Sequence, residues 1–363
     1  MSKKIGNYLK THPLAVLLVA LPLAFLADVL GWGDLWVFIL SAVGVVPMAG
    51  YIGEATEALA ERTGPRVGGL LNATLGNAAE LIITLVAIQA GYLELVKASI
   101  TGSIIGNLLL VMGASMVLGG VKNGLQKFDR RQASNYAVLM TLSILALVVP
   151  SFFSHSIGPD NSPRVEALSL GVAGVMIVLY VLGLVYSFRA QHSPMTHTPA
   201  EEQIHTKRWP LWQALLVLAL STLGVVVLSE LLVGAVEHVT EGLGLSEFFL
   251  GIILIPIVGN VAEHLVAVQV AVRNQMELSV EIALSSSLQI ALFVAPVLVF
   301  VSLLMGNPLT LIFNLFELVA LGAAVLVAAL VSNDGESNWM EGAALLAVYL
   351  ILGIAFFLLP VAM

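Results

Sequence analysis

From Pro13 to Leu359 the chain is one apolar tract after another, each near bilayer-crossing length and each ended by a charged residue or a Gly/Pro break. A hydrocarbon core about 30 Å thick takes roughly 20 helical residues to cross, so this pattern leaves few folds open. The runs fall near 13–30, 35–60, 66–90, 95–120, 133–152, 164–188, 211–237, 247–272, 280–304, 309–331 and 340–360. Lipid supplies no partner for backbone N–H and C=O groups, so each run is predicted to be a helix. Hydrophobic residues make up 59% of the 363, charged residues 10%, and mean hydropathy is +0.99. Such a balance excludes a soluble globular domain. The expected fold is an all-α polytopic membrane protein with about 11 transmembrane helices.

The first run follows Lys3, Lys4 and Lys10, as the apolar part of a signal peptide would. It lacks a small-residue cleavage site and another span follows it, so it reads as a retained transmembrane helix. Lys and Arg residues choose sides. Besides the N-terminal three, Arg62, Arg66, Lys122, Lys127, Arg130, Arg131, Arg189, Lys207, Arg208 and Arg273 lie on one side of the predicted membrane, and only Lys97 and Arg164 on the other. The positive-inside rule then puts the N-terminus in the cytoplasm and, with an odd number of spans, the C-terminus outside.

Two short words recur half the chain apart: Gly76-Asn77-Ala78-Ala79-Glu80 and Gly259-Asn260-Val261-Ala262-Glu263. Five spans separate them, so the helices that carry them run in opposite directions, the arrangement of inverted-repeat transporters. The expected organisation is an N-terminal helix (1–34), a first five-helix repeat (35–190), a cytoplasmic linker (191–209) and a second five-helix repeat (210–363).

One ionisable group inside a hydrophobic span costs on the order of 3 kcal/mol by insertion scales, so two in the same phrase point to function. Asn77 and Glu80 share a helical face, as do Asn260 and Glu263. Gly76 and Gly259, the latter with Pro256 upstream, are expected to weaken both helices, exposing carbonyls such as those of Thr74, Leu75 and Ile257. Carboxylates, amides and carbonyls make an oxygen cage suited to a hard divalent cation. Two protons carry the same charge, so metal and protons can occupy it in turn.

The following helix of each half carries a second polar set, from which Ser103, Asn107, Ser286 and Gln289 are expected to support the glutamates, although serines also serve as small packing residues. His264 follows Glu263 and is either a proton relay or a packing donor. Glu57, beside Glu54 and Glu61, and Glu237, beside Glu230 and Glu241, mark two entrances with a gating role, or else solvated helix ends. Glu317 and Asp28, without repeated partners, read as structural or interfacial.

A net charge of -8 argues against nucleic acid, and Cys 0 removes disulfides and thiolate metal sites. No cofactor is expected beyond the transported ions. The lipid bilayer is the surrounding partner, and homo-oligomer formation stays open.

At Gly-Asn-Ala-Ala-Glu-Leu and Gly-Asn-Val-Ala-Glu-His the chain resembles the calcium/proton exchanger family of the calcium/cation antiporter superfamily. The likeness extends from about residue 35 to the end and includes Gly-Ser-Ile-Ile-Gly-Asn-Leu-Leu-Leu from Gly102 and Ser-Ser-Ser-Leu-Gln-Ile-Ala-Leu from Ser285. The resemblance implies an eleven-helix fold with two inverted five-helix bundles, and calcium leaving the cytosol as protons enter by alternating access. The family's glutamates map to Glu80 and Glu263, its asparagines to Asn77 and Asn260, and its histidine to His264. Members often carry a strongly acidic linker, where this chain has only Glu201 and Glu202.

Sodium coupling is the nearer alternative reading and a passive divalent channel the more distant one. An intramembrane hydrolase is disfavoured, because the chain has neither a His-Glu-x-x-His word nor a Gly-x-Ser-x-Gly elbow, so an enzyme is not expected. A prokaryotic plasma membrane is the expected location, with the vacuolar membrane the alternative.

Overall fold

The computed structural model describes residues 13–159, 162–189 and 209–359. A 3₁₀ segment, Pro13–Val19, leads into α1 (Ala20–Val29), followed by α2 (Asp34–Leu75), α3 (Ala78–Gln89), α4 (Leu93–Ile105) and α5 (Met112–Asn123). Strand β1 (Gln126–Lys127) precedes α6 (Arg130–Ile157) and α7 (Pro163–Arg189). The second half contains α8 (Leu211–Gly234), α9 (Val236–Leu243), α10 (Glu247–Phe249), α11 (Ile255–Val272), α12 (Met276–Gln289) and α13 (Ala295–Met305). It ends with α14 (Leu315–Val331), β2 (Glu336–Ser337) and α15 (Trp339–Phe357). Most of the linker predicted at 191–209, with Glu201 and Glu202, lies outside the described residues, as do Lys3, Lys4 and Lys10.

Among the described residues 8 helices are long and apolar enough to cross a membrane. Three shorter apolar helices, Leu14–Val29, Ala78–Gln89 and Leu315–Val331, stand where the remaining spans are expected. Helical hydrogen bonding in α2 runs on past its membrane-spanning part, Asp34–Thr63. The backbone nevertheless bends back sharply, since a Cβ on Gly68 would lie 2.7 Å from the carbonyl oxygen of Ala60. The second and third predicted spans are thus joined by a helical corner instead of a loop.

Three wide, π-type turns interrupt the helices: Gly106–Val111 between α4 and α5, Leu250–Leu254 before α11, and Ile290–Val294 between α12 and α13. Such turns insert an extra residue per hydrogen-bonded loop and are frequent at functional sites. Small residues let the helices between them approach closely. A Cβ on Gly251 would come within 2.7 Å of the Leu95 carbonyl, and one on Gly102 would overlap the Ile252 carbonyl. In lipid, where helix association depends on van der Waals packing, such approaches hold a bundle together.

Irregular backbone between α13 and α14 is satisfied from within. Ser302, Ser169 and Ser151 accept from the backbone N–H groups of Leu309, Leu311 and Phe313 at 2.8, 3.1 and 2.9 Å. Non-helical chain is tolerated at membrane depth only with such partners. At one end of the bundle β1 pairs antiparallel with β2, tying the connection after α5 to the one after α14, and Lys127 and Glu336 add an ion pair of 3.1 Å. Glu317 and Glu341 complete capping boxes with Asn314 and Asn338, and Glu317 also accepts from Thr101 at 3.2 Å.

Candidate cation site

The two repeated words meet at the centre of the bundle. Glu80 stands in the first turn of α3, 3% exposed, and its Oε1 accepts hydrogen bonds from Ser103 of α4 and Asn260 of α11. Glu263, half-buried on α11, accepts from Ser286 of α12 at 2.7 Å. Each serine lies 23 residues beyond its glutamate, so both halves solve the same problem in the same register. The asparagines reach across instead. Asn260 donates to Glu80, and Asn77 donates to Oε1 of Gln289 at 2.7 Å, while Ser286 Oγ lies 3.5 Å from Asn77 Oδ1.

Each glycine of the words faces the other word's acid. A Cβ on Gly259 would lie 3.0 Å from Cγ of Glu80, and one on Gly76 would lie 3.5 Å from Oε1 of Glu263. Only Gly259 makes room for the other word's acid, since the Gly76 distance is an ordinary contact, and the two carboxylates lie within electrostatic range.

The backbones differ. Between α2 and α3 the helix breaks at Gly76 and Asn77, with Asn77 at φ -98° and ψ 22°. The break expected at Gly259 is absent, because α11 runs unbroken from Ile255 to Val272. Its irregularity lies one turn upstream, in the π-type turn that ends before Pro256, where proline's missing N–H is least costly. Asn260 also donates to the Pro256 carbonyl at 3.1 Å.

Neither glutamate has a basic partner among the described residues, whose ion pairs include Lys97 with Glu94, Lys127 with Glu336 and His238 with Asp34. Oε2 of Glu80 is buried and receives no hydrogen bond. A buried carboxylate oxygen left without donor or counter-charge is costly unless a proton or a cation reaches it. The surrounding groups are carboxylate, amide and hydroxyl oxygens, the donor set of a hard cation such as calcium.

Other residues singled out by the sequence stand apart. Thr74, singled out for its carbonyl, does lie just before the break at Gly76 and Asn77, and its hydroxyl donates to the Leu70 carbonyl of its own helix at 2.6 Å. Asn107 is buried at the start of the first π-type turn, with its amide nitrogen unpaired and no hydrogen bond to either glutamate. His264 is half-buried, its Nε2 likewise unpaired, and it makes no hydrogen bond to Glu263. Glu57 is half-buried on α2 within electrostatic range of Glu54 and Glu61, and Glu237 is exposed at the start of α9 near Glu247. Next to that second cluster, burial and the charges of Glu237 and Glu247 lift the Tyr92 phenol above its usual range.

Sequence reasoning passed over Glu281, which accepts from the buried Tyr136 hydroxyl at 3.4 Å, joining α12 to α6. It has no repeated counterpart, and its place at the edge of the predicted 280–304 span is the one signal that could have marked it.

Comparison with known proteins gives one consistent picture. A family model described as sodium/calcium exchanger protein matches residues 33–189 and 213–358. A Ca²⁺/H⁺ antiporter of Synechocystis is 45% identical over 369 residues, covering 97% of this chain and 98% of its own. The Ca²⁺/H⁺ antiporter ChaA of Bacillus subtilis is 44% identical over 342 residues, covering 93% and 96%. The solved structure of native YfkE superposes with a TM-score of 0.83 at 41% identity, over 95% of this chain and all of that one, 100%.

Proposed function

Since this chain belongs to the sodium/calcium exchanger protein family, we propose that it is a secondary active antiporter that moves Ca²⁺ out of the cytosol in exchange for protons. The antiporters of Synechocystis and Bacillus subtilis, alike over nearly their whole lengths, support this reading. The observation that carries it is the orphaned Oε2 of Glu80, buried at mid-bundle beside a second carboxylate, with no basic partner for either among the described residues.

Glu80 and Glu263 bind the transported ion. Ser103, Ser286, Asn77 and Asn260 orient their oxygens, and Gln289 fixes the Asn77 amide. A calcium ion neutralises both carboxylates and lets the bundle change the side to which the site opens. Protons neutralise the same groups on the return. With the site empty, two bare charges would have to cross a low-dielectric barrier, so the unloaded carrier does not switch and exchange is obligatory. Glu57 and Glu237 stand near opposite ends of the path and draw cations to it.

The halves 35–190 and 210–363 act as the two inverted repeats. The N-terminus lies in the cytoplasm and the membrane is a prokaryotic plasma membrane, in keeping with the bacterial relatives.

Calcium uptake into proteoliposomes under an imposed pH gradient tests the proposal. Uphill accumulation that collapses with the gradient is expected; accumulation driven by sodium but not by protons would move the chain to sodium coupling, and only downhill flux would make it a channel. Because protons and metal compete for the same oxygens, acidifying the side from which calcium loads should weaken its apparent affinity. Alkalinising that side should strengthen affinity until both carboxylates are ionised, then leave it level.

A further inference from the structure

A crevice of about 350 Å³ lies between the N-terminal part of α6 and the C-terminal end of α14, lined by Ala133, Ser134, Ala137, Thr141, Ala329 and Ser332. Ala133, Ala137, Ala329 and Ser332 also border a void of about 10 Å³ on its inner side, which closes the crevice off from the bundle interior. Its outer wall faces lipid, with Val138 58% and Leu142 47% exposed. Small side chains alone would make this a packing fault between helices. Ser332 makes it more: it is 2% exposed, lines both cavities, and its hydroxyl has no hydrogen-bond partner. A buried hydroxyl is normally paired, so an unpaired one on the wall of a cavity calls for an acceptor or donor from outside the chain.

Charge at the mouth narrows the choice. Arg131 is exposed and lies one turn before Ser134 and two before Val138 on one face of α6; Asp129 spends its carboxylate on the Arg131 and Gln132 backbone N–H groups, and the Arg131 guanidinium makes no ion pair among the described residues. Neighbouring Arg130 is exposed too. By the positive-inside rule this end of α6 faces the cytoplasm, where the leaflet carries the anionic lipids that basic pockets between transmembrane helices bind.

We propose that this crevice is a binding site for one anionic glycerophospholipid of the cytoplasmic leaflet. An acyl chain fills the space between Ala133, Ala137 and Ala329, a glycerol ester or phosphate oxygen accepts from the Ser332 hydroxyl, and the phosphate lies against Arg131.

Native mass spectrometry of the full chain, delipidated and then offered phosphatidylglycerol or phosphatidylcholine, tests this. The unmodified protein is expected to retain one phosphatidylglycerol in preference to phosphatidylcholine. Ala329→Leu, which fills the crevice, should lose the retained lipid. Arg131→Gln should lower the preference about fivefold, the effect of removing one basic residue near an anionic surface (about 1 kcal/mol). Inorganic phosphate should not displace the lipid, because an apolar crevice holds the chain as well as the headgroup. Equal retention of the two lipids by the unmodified protein, displacement by phosphate, or unchanged retention in Arg131→Gln would each overturn the proposal. A dimer that dissociates on Ala329→Leu would assign the crevice to a second copy and also overturn it. Arg131 is exposed, so its variant keeps the test decisive even if Ala329→Leu fails to fold.

Discussion

Glu80 and Glu263 are matched in sequence and unequal in setting. Glu80 is sealed in, sits directly after a break in its helix, and is held by one serine from its own half and one asparagine from the other. Glu263 is half-buried, sits inside an unbroken helix, and is held by Ser286. The difference teaches that a repeat can preserve chemistry while varying the means of support. One half positions its acid by interrupting the backbone, the other by a wide turn a few residues upstream. The less enclosed and less tethered carboxylate has the greater freedom to meet an arriving ion.

The largest effect should be shared equally. Glu80→Gln and Glu263→Gln should each abolish calcium accumulation driven by a pH gradient while leaving a folded, monodisperse protein. Normal accumulation by either variant would break the equivalence of the two acids. Smaller effects should separate them. Ser286→Ala removes the one side-chain donor found on Glu263, and a hydrogen bond to a charged group contributes about 1.5–3 kcal/mol, so calcium affinity should fall roughly ten- to hundredfold. Ser103→Ala leaves Asn260 on Glu80 and should cost less than about tenfold. Isothermal titration with calcium compares the two, and the reverse order would sink the argument that Glu80 is doubly held.

Gly259→Ala puts a methyl group 3.0 Å from Cγ of Glu80. Overpacking of this kind costs about 1–3 kcal/mol, and transport assays should show the loss even though the glycine carries no chemistry of its own. At the small end, Asn338→Ala removes the cap of α15, far from either acid in the sequence. Stability should fall by about 1 kcal/mol in thermal unfolding, with calcium affinity unchanged. A shift in affinity would mean that the site is sensitive to strain anywhere in the bundle.

Much of this was legible in the residue order. Apolar runs marked the helices because lipid imposes a length and a composition on anything that crosses it, and the repeated Gly-Asn-x-Ala-Glu word marked the acids because charge at that depth is expensive. Polar residues on the following helices pointed to Ser103, Ser286 and Gln289, which do stand in the network around the glutamates. The same reasoning pointed to Asn107, which does not, whereas Thr74 is singled out for a carbonyl beside the expected break. A hydroxyl near a kink can always be spent on its own helix, as Thr74 does on Leu70, and sequence does not say which outlet wins. Wide turns escaped notice for a related reason: they shift helical register by one residue and leave no compositional trace. Gly259 misled in a different way. It reads as a helix breaker, yet its lack of a side chain serves the approach of Glu80 across the interface, and that requirement belongs to another segment altogether.

The exchange of contacts between the words has a consequence for how such a protein can be built. Asn260 serves the acid of the first half, Asn77 engages the glutamine of the second, and Gly259 clears space for Glu80. A fragment ending before Trp209 should therefore be unable to hold calcium by itself, and co-production with the complementary fragment should restore capture only once the pieces reunite. Ancestry by doubling would then have been followed by mutual dependence, in which neither copy can drift without its twin.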